Sequence, residues 1–394
     1  GASSRAAFVL LGRGMSCRTW LTGITIGVAF TLLGGCGDGG GGGGSAPSRY
    51  DFADVARETQ AFVDGTPGID GVGLAIVQRD RGIVFQQSFG AFGDDRVYLL
   101  ASSSKMITAG VLLRLADQGL LDLDRPVADV VPWLRANPDV TPAQLISNSS
   151  GLVGLRPNPS YPPYLCQFIF NGGTLQDCGE RIFTGTGDDE QVAPPDTEFR
   201  YGGGQWQVAG AVAEVASGKS WSALVRETYV EPCDVPSLGY NNHFVQFPGA
   251  QGTYPIDFAG DPSTLRPTDN PNMEGGAYAN VADYAKLVLM HLRGGRCDGG
   301  RVLSEAAVRR MHTDRIASYG GTTGTAFEGY GFGWWVDRDR PSLTIDPGAY
   351  GAYAWIDEER GYGAFFALEA NTGVGTELFV RLLPLVAGAI DAGT

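Results

Sequence analysis

Histidine is scarce in this 394-residue sequence, which contains only His243, His291 and His312. None belongs to a His-Glu-x-x-His pattern, the zinc-binding helix of many metallohydrolases, and we expect all three to be structural. The sequence also lacks Gly-x-Ser-x-Gly, the motif that exposes a serine nucleophile on a sharp turn. No dinucleotide-binding glycine motif follows a predicted strand. We therefore expect neither a metal ion nor an organic cofactor.

Charged residues are also few, at 18% of the chain, and the formal net charge is −14 at pH 7. No run of Lys or Arg interrupts this acidity, so we expect no binding to nucleic acid, which the surface would repel. Apolar residues reach 43%, enough for a sizeable core. The 59 glycines predict many tight turns.

The first fifty residues predict export. An apolar run, 20–33, follows Met15 and Arg18 and is too short to span a membrane comfortably. Leu33-Gly34-Gly35-Cys36 is similar to a bacterial lipobox, which predicts lipidation of Cys36; an ordinary secretory signal is the alternative. Residues 1–36 would be the signal peptide and 37–50 a glycine-rich linker. We expect a periplasmic or outer-surface lipoprotein, or a secreted protein.

Outside this segment the cysteines are Cys166, Cys178, Cys233 and Cys297. An even number in an exported chain predicts two disulfides. We favour Cys166–Cys178 and Cys233–Cys297, although the sequence leaves the other two pairings open.

Strand and helix signals are unevenly distributed. Residues 51–65 form an amphipathic pattern, and a hairpin follows around Asp80-Arg81-Gly82. Between about 126 and 280 helical patterns such as Gln205–Ser217 replace the strands, and four β-rich runs then precede a helix near Thr376–Ile390. This order predicts an α+β protein. Its parts are an αβα sandwich with an antiparallel sheet, from 51–125 and 280–394, and an inserted, mainly helical domain, 126–279.

Three serines, Ser102, Ser103 and Ser104, precede Lys105 at the start of an apolar segment. Residues three apart lie on one helix face, so only Ser102 is spaced to meet the Lys105 amine. The helix dipole and burial both favour a neutral lysine, which can take a proton from serine. The alternative is a capping serine with a lysine that extends into solvent, and this short motif alone favours that alternative, because short motifs often match by chance.

The segment FRYGGGQWQVAGAVAEVASGKSW, 199–221, favours the interpretation of Ser102 as a nucleophile. With Ser102 and Lys105 it resembles the serine β-lactamase and penicillin-binding superfamily. The resemblance is to the class C-like branch, with family VIII carboxylesterases, D,D-peptidases and 6-aminohexanoate-oligomer hydrolases. Members carry Ser-x-x-Lys, then Tyr-x-Asn before a helix, then Lys/His-x-Gly on a late strand. The stretches 145–152, 273–295 and 329–336 support the resemblance, which extends from about residue 51 to the C-terminus.

By position, the resemblance implies that Ser102 is acylated and that Lys105 and Tyr201 share the general base and acid work. The backbone amides of Ser102 and Ala349 would form the oxyanion hole. These roles imply a two-step acyl transfer in which water releases the acid.

Three positions depart from the family's pattern. In Asp346-Pro347-Gly348 an aspartate stands where the family has Lys or His, Gly203 replaces the asparagine of Tyr-x-Asn, and Asn148 stands where many members have histidine. An aspartate repels carboxylates, which argues against β-lactams and D-Ala-D-Ala peptides as substrates. It would instead bind a substrate amine, order Tyr201, or point away and cap a turn. We assign Asp346, Gly348, Gly203 and Asn148 to substrate binding.

The sequence therefore predicts a serine hydrolase, with a carboxylesterase for neutral esters as the leading hypothesis. In the segment 154–183, Tyr161, Tyr164, Phe168 and Phe170 would form an apolar wall over the cleft or pack a small core of their own. The alternatives are an amidase or peptidase of the same superfamily, and a catalytically silent, lipid-tethered binding protein. The partners expected are a small ester or amide and, through Cys36, a membrane.

Overall fold

The computed structural model describes residues 50–134, 136–155, 161–168, 173–187, 189–246 and 260–393. The chain from Ser48 onward forms one compact unit. The predicted signal peptide, Cys36 and nearly all of the predicted linker lie outside the described residues.

The chain alternates helices and short strands. The strands are β1 (Gly71–Gln78), β2 (Gly82–Gly90), β3 (Val97–Leu99), β4 (Gly239–Tyr240), β5 (Ala277–Asn280), β6 (Arg296–Cys297), β7 (Gly300–Arg301), β8 (Gly329–Tyr330), β9 (Trp335–Val336), β10 (Leu343–Pro347), β11 (Tyr353–Asp357) and β12 (Tyr362–Ala367). The helices are α1 (Ala53–Gly65), α2 (Ser104–Asp117), α3 (Pro142–Ile146), α4 (Leu165–Phe168), α5 (Leu175–Gly185), α6 (Gly204–Ser217), α7 (Trp221–Val225), α8 (Glu231–Cys233), α9 (His243–Gln246), α10 (Val281–Leu292), α11 (Glu305–His312) and α12 (Thr372–Gly393). A π-helical turn, Arg226–Val230, joins α7 to α8.

Strands from both ends of the chain form one seven-stranded antiparallel sheet in the order β2-β1-β12-β11-β10-β9-β8. The predicted antiparallel sheet with helices is thus confirmed. A hairpin joins β1 to β2, as the Asp80-Arg81-Gly82 turn predicted. β12 then pairs with β1, so the C-terminal strands add directly to the N-terminal hairpin.

The two faces of the sheet are covered by different helices, and β1 shows how the sequence achieves this. Its side chains alternate between faces: Val72, Leu74 and Ile76 join the core formed with α1 and α12. Ala75 and Val77 join the larger core formed with α2 and α10. Because both faces are buried, β1 is almost continuously apolar.

Helix α12 is the one described helix long and apolar enough, by length and composition, to cross a membrane. Its Leu378, Leu382 and Val386 are buried in the core that α1 and the sheet also form. One face of α12 therefore packs in this core.

The middle of the chain is mainly helical, with α3 to α9 between residues 142 and 246. A three-stranded sheet, β3-β5-β4, connects this part to the residues before α2. Both favoured disulfides are present, Cys166–Cys178 and Cys233–Cys297. The boundaries of the inserted domain, 126–279, stay a prediction.

Candidate active site

The nucleophile candidate lies in a short 3-10 turn, Ala101–Ser103, that leads directly into α2. Ala101 has a φ of 46°, a left-handed conformation that is strained for a residue with a Cβ and is often found at functional sites. Strand β10 passes close to this turn. A Cβ on Gly348 would lie 2.2 Å from the Leu100 oxygen, so only glycine permits this approach.

The structure distinguishes the three serines. Ser103 Oγ donates to the Asp346 carbonyl (3.0 Å), and Ser104 Oγ donates to the Ala101 carbonyl (2.6 Å). Both are fully buried. Ser102 is partly exposed and accepts a hydrogen bond from Lys105 Nζ at 3.0 Å. The predicted pair of Ser102 and Lys105 is therefore brought together, and Ser102 is the accessible hydroxyl of the three.

Lys105 is almost completely buried, with 1% of its surface exposed. Its Nζ also donates to the Glu274 carbonyl (3.0 Å) and lies 3.3 Å from Glu274 Oε2. The helix dipole and burial by themselves predict a neutral lysine. A buried carboxylate beside the amine instead favours the ammonium form. The two charges then pair with each other, whereas either one buried alone would be costly.

Tyr201 lies beside the same lysine. The Lys105 Nζ is 4.7 Å from the centre of the Tyr201 ring, within the range of a cation–π contact. The ring also packs against Trp335, with centroids 5.1 Å apart. Ser102, Lys105 and Tyr201, the three predicted catalytic residues, thus form one cluster.

Asn148 and Gly203 shape the loop that carries Tyr201. Asn148 Oδ1 accepts hydrogen bonds from the amide of Gly202 (2.9 Å) and from the indole of Trp206 (2.8 Å). Gly203 adopts a φ of 84° and donates its amide to Glu274 Oε2 (2.9 Å). Asn148 is fully buried, and its contacts hold the loop.

Asp346 is buried under α2, with 2% of its surface exposed. Its Oδ2 lies 2.6 Å from the hydroxyl of Tyr284. Burial raises the pKa of Asp346 to about 8, a shift that the Tyr284 hydrogen bond and the charge of Lys105 oppose. The carboxyl bonds to Tyr284 and is not among the residues that line the cleft around Ser102.

The second predicted oxyanion donor, Ala349, lines the same cleft as Ser102. The turn between β10 and β11 is closed by Gly348 N donating to Ala352 O (2.7 Å) and Gly351 N donating to Gly348 O (3.1 Å). In the described part of the chain, neither turn bond uses the amide of Ala349, so its role as an oxyanion donor stays a prediction.

The cleft has a volume of about 1070 Å³ and is rich in aromatic side chains. The lining includes Phe168, Phe199, Tyr201, Phe244, Trp335 and Tyr350. Of the predicted aromatic wall, Phe168 lines the cleft. Tyr161 and Tyr164 are buried against each other, with ring centroids 4.7 Å apart, and Phe170 lies outside the described residues.

The three histidines bond to other interior groups. His243 Nε2 lies 2.8 Å from the Tyr350 hydroxyl, and His312 Nε2 lies 3.0 Å from His291 Nδ1. Burial lowers the pKa of His243 and of His312 to about 3, so both are neutral at physiological pH.

Sequence reasoning did not identify Glu274. Its stretch, 273–295, supported the resemblance, but no motif marked the carboxylate. Glu274 lines the cleft, contacts Lys105 and is 3% exposed. A lone acidic residue before Gly275-Gly276 was the only sequence signal.

An antiparallel sheet between helix layers, with an accessible serine bonded to a buried lysine three residues later, defines the class of serine acyl-transfer hydrolases. Residues 55–384 match the family model described as Beta-lactamase, so the chain belongs to the beta-lactamase family. The motif-based resemblance is thereby confirmed.

Relatives within this family have different activities in their names. The chain is 28% identical to Penicillin-binding protein 4 of Amycolatopsis lactamdurans over 342 residues, 84% of each chain. It is 28% identical to Esterase EstB of Burkholderia gladioli over 180 residues, 43% of this chain and 44% of EstB. A penicillin-binding protein homologue from Caulobacter crescentus shares the fold, with a TM-score of 0.65 and 20% identity over 88% of this chain and 99% of that one.

Proposed function

We propose that this protein hydrolyses neutral carboxylic esters through an acyl-enzyme on Ser102. The observation that carries the proposal is the hydrogen bond from Lys105 Nζ to the partly exposed Ser102 Oγ, 3.0 Å, at an aromatic-lined cleft. The similarity to an esterase over 43% of the chain supports the ester as substrate.

We assign different catalytic roles to Lys105 and Tyr201. Lys105 donates to Ser102 Oγ, so it orients the oxygen and stabilises negative charge on it. We infer that Tyr201, whose ring centre lies 4.7 Å from Lys105 Nζ, takes the serine proton while its own hydroxyl proton passes to the leaving alkoxide. Ser102 Oγ bonds to the acyl carbon as the bond to the alcohol breaks. Water then attacks the acyl carbon, the bond to Ser102 Oγ breaks, and the proton lost by water returns to Ser102 as the acid is released.

The charges around the cleft favour neutral substrates. Arg200 is the cationic side chain among the described lining residues, and it donates to the carbonyls of Gly151 and Gln191 and to Glu198. The Lys105 charge is paired with Glu274. A substrate carboxylate therefore meets no described lining cation that lacks a partner, which disfavours β-lactams and C-terminal peptides.

An amidase or penicillin-binding activity is the second candidate. Penicillin-binding protein 4 matches 84% of the chain, about twice the share that matches EstB. The missing side chain at Gly203 argues against it, because an asparagine at this position of Tyr-x-Asn would offer its side-chain amide to an amide substrate.

We further propose that the protein acts outside the cytoplasm. Two disulfides are typical of exported proteins. A lipid on Cys36 would tether it to a membrane through the glycine-rich linker, and mass spectrometry of the membrane fraction tests that anchor.

The test of the function compares a short p-nitrophenyl ester with a chromogenic cephalosporin, using wild type, Ser102→Ala and Ser103→Ala. Ester turnover should fall at least about a thousandfold in Ser102→Ala. It should persist in Ser103→Ala, whose hydroxyl only bonds the Asp346 carbonyl. Ester turnover that Ser102→Ala leaves intact would overturn the mechanism. Faster cephalosporin than ester turnover would favour the second candidate.

A folded wild type without turnover would raise the remaining alternative, a silent binding protein. Labelling by a fluorophosphonate separates these cases, because it reports a reactive serine whatever the substrate is. A wild-type Ser102 that resists the label would contradict every enzymatic hypothesis.

A further inference from the structure

The carboxylate of Glu274 is surrounded by hydrogen-bond donors from three separate parts of the chain. Oε2 accepts from the amide of Gly203 (2.9 Å) and lies 3.3 Å from Lys105 Nζ, and Oε1 accepts from Gln167 Nε2 (2.8 Å). The side chain is 4% exposed and Lys105 is 1% exposed. Removing one partner of such a buried ion pair strongly destabilises the folded protein, because the other charge stays buried without a partner.

The backbone of Gly202 and Gly203 packs closely beside the Glu274 carboxylate. A Cβ on Gly202 would lie 2.6 Å from Glu274 Oε2, and a Cβ on Gly203 would lie 2.6 Å from the Val153 oxygen. Both glycines have positive φ values, 70° and 84°. The loop after Tyr201 therefore passes within bonding distance of the carboxylate because neither residue has a side chain.

Glu274 thus contacts Lys105 and the loop that carries Tyr201, two of the three predicted catalytic residues. Its carboxylate and its own carbonyl hold Lys105, and the carboxylate also holds the amide two residues after Tyr201. Among the described residues, no second carboxylate forms an ion pair with Lys105. Glu274 is therefore the carboxylate paired with Lys105, and together with Asn148 it holds the loop that carries Tyr201.

We propose that Glu274 is a positioning residue that keeps Lys105 as an ammonium donor to Ser102 and fixes the Tyr201 loop beside it. This inference rests on the proposed acyl-transfer function.

Glu274→Gln removes the charge with almost no change in shape. A glutamine oxygen can accept from Gly203 and Lys105, and its amide can donate to Gln167 once the Gln167 amide turns over. Among the described residues, Gln167 Oε1 has no hydrogen-bond partner, so this turn costs no bond observed there. The variant should fold. Glu274→Ala removes both the charge and the acceptors.

The readout is the rate of covalent labelling of Ser102 by a fluorophosphonate, with kcat and KM for a p-nitrophenyl ester measured alongside. We expect Glu274→Gln to slow labelling and kcat by about 10- to 100-fold while KM changes little. Glu274→Asp, which keeps the charge, should recover part of the loss. The matched control is Glu214→Gln, a buried glutamate of α6 that bonds the amide of Trp221 and should label like wild type.

The outcomes separate this proposal from the function on which it rests. If wild-type Ser102 does not react, the acyl-transfer function fails. If wild type reacts and Glu274→Gln labels within about twofold of it, the positioning role is wrong. If Glu274→Ala does not fold, the labelling rate of Glu274→Gln alone tests the positioning role.

Discussion

At the scale of single residues, the Tyr284 hydroxyl lies between two acceptors, the Ser103 carbonyl and Asp346 Oδ2, and a neutral Asp346 allows both contacts to be hydrogen bonds. The Tyr284 hydroxyl lies 3.1 Å from the Ser103 carbonyl and 2.6 Å from Asp346 Oδ2, but it carries one proton. If Asp346 is protonated, it donates to Tyr284, and Tyr284 donates to Ser103. Burial raises the pKa of Asp346 to about 8, which agrees with this count. A neutral Asp346 neither repels a substrate carboxylate nor attracts an amine.

The pH dependence of stability tests this protonation state. Because the folded state raises the pKa of Asp346 from 3.8 to about 8, its contribution to the free energy of unfolding is complete below pH 3.8. The contribution is lost as the pH rises towards 8, at up to about 1.4 kcal/mol per pH unit. Asp346→Asn does not ionise, so its stability relative to wild type should rise between pH 5 and 8 in urea unfolding. A difference that stays constant over this range would show that Asp346 is not neutral.

At the scale of structural elements, the loop between Tyr201 and α6 explains why the family's asparagine is absent. Gly203 precedes the first residue of α6 with φ 84° and ψ −167°, a conformation that is essentially restricted to glycine. Its missing Cβ would meet the Val153 oxygen at 2.6 Å and the Tyr164 ring at 3.1 Å. An asparagine at position 203 therefore does not fit this loop path without strain.

Restoring the asparagine should consequently fail to restore amide hydrolysis. We expect Gly203→Asn to lower the free energy of unfolding by about 1–3 kcal/mol or more, and to reduce ester turnover by displacing the Gly203–Glu274 bond. Gly218→Asn is the matched control. Gly218 also has a positive φ, 68°, but no atom lies within 4 Å of its Cβ position. Thermal unfolding and ester assays on both variants measure the effect; a stable Gly203→Asn with new amidase activity would contradict it.

Elements whose cause is local were predicted closely. The helix predicted at Gln205–Ser217 is observed at Gly204–Ser217, and the Ser102–Lys105 contact was predicted from a spacing of three residues. Ser102 itself lies in a 3-10 turn before α2. Contacts between distant segments were not predictable: Lys105 bonds to Glu274, 169 residues away. No periodicity records such a pairing, so both the charge state of Lys105 and the neutral Asp346 depended on the fold.

At the scale of the whole molecule, the two disulfides constrain the chain differently. Cys166–Cys178 closes a separation of 12 residues, and Cys233–Cys297 closes one of 64. Loop-closure entropy predicts stabilisation of about 3 kcal/mol for the short loop and about 4 kcal/mol for the long one. Cys166 is also in α4 with Phe168, which lines the cleft. Cys297 is in β6, and neither it nor Cys233 is among the described lining residues.

Removing the Cys233–Cys297 bridge should therefore affect stability alone, whereas removing the Cys166–Cys178 bridge should also affect substrate binding. We expect Cys233→Ser/Cys297→Ser to lose more free energy of unfolding than Cys166→Ser/Cys178→Ser, by about 1 kcal/mol, with the KM for a p-nitrophenyl ester unchanged. The Cys166→Ser/Cys178→Ser variant should instead raise KM, because Phe168 loses the bridge that holds its helix against the cleft. Urea unfolding and ester kinetics on the two double variants measure both effects. Equal KM values in both variants would mean that packing against Phe244, whose ring centre lies 5.4 Å from that of Phe168, holds the cleft wall without the disulfide.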